Sequence, residues 1–394
     1  MARLNPKTRL TILIIATSGF LAFLGTLVGT IWLASFWGFP LLLDPALLSL
    51  HPHIQLYGFI YLFIIAVSYA LIPRFTNRAI SPRHLPVLSI SFFLAGLISL
   101  VLLSLLGYIL MLIGSILYTI VIIRLIRRPS GHFALSDYYM MAGALLFPSV
   151  IALTLMSESS GNSGLNLNLL QLSLLGFPTF MIFGVEQRTL HFRGAQLRKR
   201  ECMIALGLLG SASVMSGLET FLQFENISLL RSAFYLVGGL MFIIALQIFE
   251  NPISPVMARM NRRDKKRYVY FTNSLRVAFL WLIIGLVFGV IYESYAFFIG
   301  DVPFAIRDSF IHSLSVGFIG STIIAYVPIL LPSILSRSAP SSGLSLWPLF
   351  LVNAGNILRI FGVVFLVSMP FFWPAALAGP LILAGMIYFM LMIH

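Results

Sequence analysis

Cysteine is nearly absent from this sequence, and so is negative charge. The single thiol, Cys202, has nothing to pair with inside the chain, which excludes an internal disulfide and any metal cluster built on several cysteines. No Cys-x-x-Cys-His occurs, so covalent haem attachment of the c type is excluded as well. Asp and Glu number 12 in 394 residues, and charged residues of both signs make up only 9%. No soluble globular domain combines so few charges with 59% hydrophobic residues and a mean hydropathy of +0.99. Apolar runs of about 18 residues or more mean helices that cross a bilayer, since about 20 residues cover about 30 Å of hydrocarbon.

What charge there is has one sign and one side. A net charge of +13 would suggest nucleic acid in a soluble chain. In a polytopic chain it follows from the enrichment of Lys and Arg in inner loops, so no nucleic-acid partner is expected. The apolar runs predict twelve spans: about 10–36, 54–72, 85–106, 108–126, 139–156, 169–187, 202–224, 233–249, 277–299, 309–331, 346–367 and 375–393. Gly107 reads as a tight turn between the third and fourth. The stretch Arg259 to Arg276 reads as a basic loop, and Asp44 and Glu225 sit in short outer loops. Arg3, Lys7 and Arg9 precede a long apolar run with no small-residue cleavage site, which predicts a first span rather than a removed signal. With the N-terminus inside, every Lys and Arg except Arg231, Arg307 and Arg359 falls on the inner side. Both termini are therefore expected to be cytoplasmic.

One frame recurs. From His53, Gly58-Phe59-Ile60 stand at +5 to +7, Ile64-Ile65-Ala66 at +11 to +13 and Pro73 at +20. From His312, Gly317-Phe318-Ile319, Ile323-Ile324-Ala325 and Pro332 occupy the same offsets. A fainter copy starts at Gln171, with Gly176-Phe177, Ile182 and Gly184. The copies fall on spans two, six and ten, a period of four. The expected fold is thus all-α and integral to the membrane, with about twelve transmembrane helices in three four-helix arcs. It forms a single polytopic domain over 1–394 with repeat units roughly 10–126, 138–250 and 276–393.

Two copies of an apolar helix that each open with histidine point to two ligands at one depth. Imidazole suits haem iron, and a haem between helices takes one histidine from each. His312 with His53 or His51 meets that requirement. His51 and His53 are two residues apart, so on a helix they point about 200° apart and only one can face a given iron. His84, His132, His191 and His394 fall on inner loops or ends and read as solvated. Arg359 lies within span eleven, where an arginine needs an anion or a wet cavity. Asn353, Asn356 and Arg359 follow at i, i+3 and i+6, roughly one face. Haem propionates are the expected partner of Arg359, by bidentate pairing. Glu186, Gln187 and Arg188 read as a local inner cluster. Glu219, Glu293 and Asp308 read as outer rim charges, with Glu293, Tyr292 and Tyr295 as candidate cavity lining.

With these residues in view, the chain resembles the catalytic subunit of the haem–copper oxidases and nitric oxide reductases. The frame His312-Ser313-x-x-x-Gly317-Phe318…Pro332 resembles that family's tenth helix, whose histidine ligates the low-spin haem. Arg359 matches the place where the family binds propionates. His-x-His-x-x-x-x-Gly-Phe, from His51 to Phe59, is closer to the NnrS-type membrane haem proteins associated with nitric oxide stress. The chain departs from the oxidases at two of their ligands. Phe310 stands where the tenth helix carries its second histidine, and Phe177 stands where a copper ligand is expected. Spans six to eight hold no histidine, so copper and a binuclear oxygen or nitric oxide reductase site are not expected.

The resemblance implies one non-covalent haem b held by His312 and by His53 or His51, with Arg359 and Asn356 beside it. It also implies electron transfer or nitric oxide and redox handling in the cytoplasmic membrane, with partners among respiratory-chain subunits or a redox protein on the outer face. A cofactor-free transporter and an accessory subunit of a respiratory complex are the alternatives.

Overall fold

The computed structural model describes residues 6–34, 50–127, 133–160, 167–190, 195–222, 227–250, 261–334, 344–364 and 373–393. The readings placed on Asp44, Glu225, His132, His191 and His394 lie outside these residues. The described residues form helices and turns with no strand. In chain order the helices are α1 (Pro6–Ala34), α2 (Leu50–Thr76), α3 (His84–Ser99), α4 (Ser104–Ile126), α5 (Leu135–Ser159) and α6 (Asn168–Thr189). They continue as α7 (Lys199–Leu222), α8 (Ser228–Leu246), α9 (Arg262–Phe298), α10 (Phe304–Pro332), α11 (Trp347–Val364) and α12 (Trp373–Ile393). Among the described residues, 9 helices are long and apolar enough to cross a membrane, and α3 and the Ala376–Met392 part of α12 are shorter apolar helices. The chain is a helical, multi-pass membrane protein. A helix satisfies its own backbone within hydrocarbon, where nothing else can.

The helices divide into two compact units. One contains α1, the first part of α2 and α9 to α12; the other contains the rest of α2 and α3 to α8.

In the first unit, α1 packs against the start of α2 and against α12, α12 against α11, and α10 against both α9 and α11. Polar side chains join the helices where lipid-like packing offers little specificity. The Trp281 indole on α9 donates to Asn353 Oδ1 on α11, while Asn353 Nδ2 donates to Ser321 Oγ on α10 at 3.1 Å. The Tyr270 hydroxyl donates to the Ile324 carbonyl at 2.8 Å.

The second unit is built around aromatic rings. Phe147 and Phe177 stack at 4.3 Å with Tyr118 edge-on to both, and Phe183 stacks on Phe242 at 3.6 Å. A fully buried Arg231 is ion-paired with Glu219 between α8 and α7.

Three sequence expectations need correction. Gly107 is not in the turn: that lies at 100–103, and Gly107 is inside α4, where a Cβ would come within 2.9 Å of the Gly96 carbonyl. Its missing side chain lets α3 and α4 approach. The stretch from Arg262 onward is helical and runs unbroken into α9, because Lys and Arg favour helix and hold their charges beyond the apolar length. Glu219, read as a rim charge, is buried as the partner of Arg231.

The recurring frame has a backbone counterpart in each copy. A π-helical segment, Ile54–Tyr61, follows His53, and another, Ser313–Gly320, follows His312. In the copy that starts at Gln171, α6 breaks at Gly176, where ψ is −107° and a Cβ would meet the Leu172 carbonyl at 2.3 Å. A π-turn inserts a residue while keeping the backbone bonded, so it re-aims side chains without exposing polar groups. At Gly317, the +5 glycine of the His312 copy, Trp281 packs so closely that a Cβ would come within 2.5 Å of the indole.

Candidate functional site

The polar groups of the first unit converge where α1, α2, α10 and α11 bring His51, His312, Asp308, Asn356 and Arg359 together. His312 ends the regular first part of α10, with Asp308 one turn earlier. The His312 Nδ1 lies 2.9 Å from the Asp308 carbonyl oxygen and 3.2 Å from Asp308 Oδ1. Both neighbours only accept, so Nδ1 carries the proton and Nε2 keeps its lone pair in the neutral ring.

Asp308 is held in turn by Arg359 on α11. Nε donates to Oδ2 at 2.9 Å and Nη2 donates to Oδ1 at 2.9 Å. Oδ1 is therefore common to the arginine and the histidine. Asp308 and Arg359 are 4% and 7% exposed, so this is a buried, two-pronged ion pair rather than a rim contact. The reading of Asp308 as a rim charge is corrected accordingly. The anion that Arg359 faces is a side chain of this protein. Asn353, Asn356 and Arg359 share one buried face of α11, as their spacing predicts. Asn356 Nδ2 donates to the His312 carbonyl at 3.2 Å. Its Oδ1, with Ser309 Oγ and Ser313 Oγ on either side of His312, is buried and has no hydrogen-bond partner among the described residues.

On α2, His51 Nδ1 lies 2.7 Å from the Gly25 carbonyl of α1, which fixes the same tautomer as in His312. The ring rests over Gly29, whose Cβ would come within 3.0 Å of Cε1, and Gln55 packs one turn on against Gly25. The Gly25-x-x-x-Gly29 spacing leaves α1 smooth where α2 crosses it. His51 lies within electrostatic range of His312, Arg359 and Asp308. His53 precedes the π-segment as His312 does, and its ring stands 6.0 Å from that of Tyr57. The backbone frame thus aligns His53 with His312, while proximity brings His51 to it.

Each of two histidines has Nδ1 within hydrogen-bond distance of a carbonyl, which leaves Nε2 as the nitrogen with a lone pair, a tautomer compatible with binding a haem iron. Buried oxygens without partners flank one of them. Among the described residues no group of three or more His, Cys, Asp or Glu side chains is placed to hold a metal ion by itself. Phe310 and Phe177 are fully buried in packing, and His84 is exposed. In the second unit, Arg188 on α6 pairs with buried Asp137 on α5 at 2.6 Å, a partner that the expected cluster of Glu186, Gln187 and Arg188 did not include. Glu293, read as a rim charge, is instead buried in α9, while Tyr295 is exposed.

Gly25, Gly29 and Gln55 were not singled out by the sequence reading, and Asp308 was read only as a rim charge. Two signals pointed to them: the i, i+4 spacing of Asp308 and His312, and the four-residue glycine spacing in α1. No protein-family model and no curated protein sequence matches the chain.

Proposed function

We propose that this is a b-type haem protein of the cytoplasmic membrane, in which His312 and His51 would hold the iron. The observation that carries the reading is the pair of histidines, each anchored through Nδ1 to a carbonyl so that the lone pair is left on Nε2. The haem supplies a one-electron couple. The protein's residues hold and orient the ligands: Gly25 and Gly29 seat His51, while Asp308 and Asn356 seat His312. Arg359, balanced by Asp308, keeps the net charge beside the site near neutral.

The chain crosses the membrane twelve times in three four-helix arcs, with both ends cytoplasmic, as the distribution of Lys and Arg favours. The site then lies near the outer face, where a redox partner or another respiratory subunit can exchange electrons with it. Electron transfer or nitric oxide and redox handling is the role that fits, without a copper-containing reductase centre. The test is a reduced-minus-oxidised spectrum of purified protein from haem-replete cells. A low-spin, six-coordinate b haem is expected. A colourless preparation would sink this reading and promote a cofactor-free transporter.

A further inference from the structure

The carbonyl of Asp308 already satisfies His312 Nδ1 at 2.9 Å, yet the same residue brings a carboxylate oxygen to 3.2 Å of that nitrogen. A buried carboxylate is costly, and here it is retained only with an arginine locked on it through two hydrogen bonds. Fixing a tautomer needs no charge, because the carbonyl does that alone. What the carboxylate adds is negative charge on the far side of the imidazole from Nε2. A carboxylate beside the Nδ1–H raises the basicity of a ligating ring.

We propose that Asp308 is a positioning residue that makes His312 a stronger electron donor to iron, with Arg359 setting how much of the carboxylate's charge the ring feels. This rests on the haem reading above. Oδ1 is the hinge of the device, since Arg359 Nη2 and His312 Nδ1 both address it. A stronger donor favours the ferric state, so Asp308 lowers the midpoint potential and Arg359 moderates that effect. Arg359 thus acts on the iron through Asp308 and His312 rather than as a dedicated partner of a propionate.

The experiment is a redox titration of the haem-loaded protein and of Asp308→Asn with Arg359→Gln. The double variant leaves no buried charge unpaired and no net change in charge. The Asp308 carbonyl still holds the ring, so haem stays bound and low-spin. The midpoint should rise by the equivalent of about tenfold in the oxidation equilibrium, about 59 mV for a one-electron couple. In the ferrous, diamagnetic protein the His312 Nδ1–H proton resonance should move upfield with it, as the carboxylate beside it loses its charge. A haem-loaded wild type whose double variant keeps the same midpoint overturns the proposal and leaves the haem reading standing. So does a midpoint that moves while the Nδ1–H resonance does not, because the carboxylate would then act only as a distant charge. Loss of haem from the double variant alone makes Asp308 a structural prop and also overturns it. A colourless wild type overturns the haem reading and the proposal with it.

Discussion

Arg359 grips Asp308 through both prongs of its guanidinium, each bond 2.9 Å, across the packing of α11 on α10. Both groups are buried, so neither charge can fall back on water when the other is removed. Arg359→Leu alone should therefore destabilise the protein by about 3–5 kcal/mol, and Asp308→Leu alone by a similar amount. Combining the two should recover most of the loss, because an apolar pair of similar volume leaves no charge stranded. Thermal unfolding in detergent of the two single variants and the double decides this. Additive losses would mean that the two side chains are not coupled.

Ligand identity follows from the tautomers. His51→Ala and His312→Ala should each abolish the low-spin spectrum, since either change removes one anchored Nε2 donor. His53→Ala should keep it, because the helix turns His53 about 200° away from His51. Optical spectra of the three variants check this. A low-spin spectrum that survives His51→Ala but not His53→Ala would reinstate the residue that the sequence frame selects.

The helices, their apolar character and the recurring frame could all be read from residues alone, because hydropathy and spacing are local quantities. The π-segments after His53 and His312 could not, since nothing in Ile54–Tyr61 or Ser313–Gly320 distinguishes a π-turn from ordinary apolar helix. The partner of Arg359 was missed for a different reason. From sequence, an arginine within a span asks for an anion, but which carboxylate answers depends on how α10 and α11 pack. Asp308 lies 51 residues from Arg359 and from the sequence was read only as a rim charge. The pairing of Arg231 with Glu219 likewise needed the packing of α7 on α8.

Topology can be tested from two exposed loop positions. Ser81 follows α2 in a stretch that carries Arg78 and Arg83, and Asp301 lies between α9 and α10. The proposed orientation places the first inside and the second outside. The one native thiol, Cys202, is buried and should give little background. In intact cells, Asp301→Cys should react with a membrane-impermeant maleimide and Ser81→Cys should react only after permeabilisation. The reverse pattern would invert the orientation and put the histidine site on the cytoplasmic side.

Gly29 gives the most local test of how His51 is held. A Cβ there would stand 3.0 Å from His51 Cε1 and 3.4 Å from Nδ1, tighter than ordinary van der Waals contact, so Gly29→Ala requires the ring to shift by a few tenths of an ångström. Gly29→Leu adds a branched chain that the ring cannot share space with. It should push His51 off the Gly25 carbonyl, now 2.7 Å away, and release the tautomer that presents Nε2. Disturbing a support of this kind typically costs about 10- to 100-fold in metal affinity, so Gly29→Leu should bind haem that much more weakly. Gly19→Leu on the same helix is the control. No atom outside its own helix and chain neighbours lies within 4 Å of a Cβ at Gly19, and leucine is the better helix former, so fold and haem content should hold. Haem titration of the two variants in detergent separates the outcomes. Equal affinity in Gly29→Leu and wild type would show that iron ligation does not depend on where α1 places His51, and the second ligand would then have to be sought at His53.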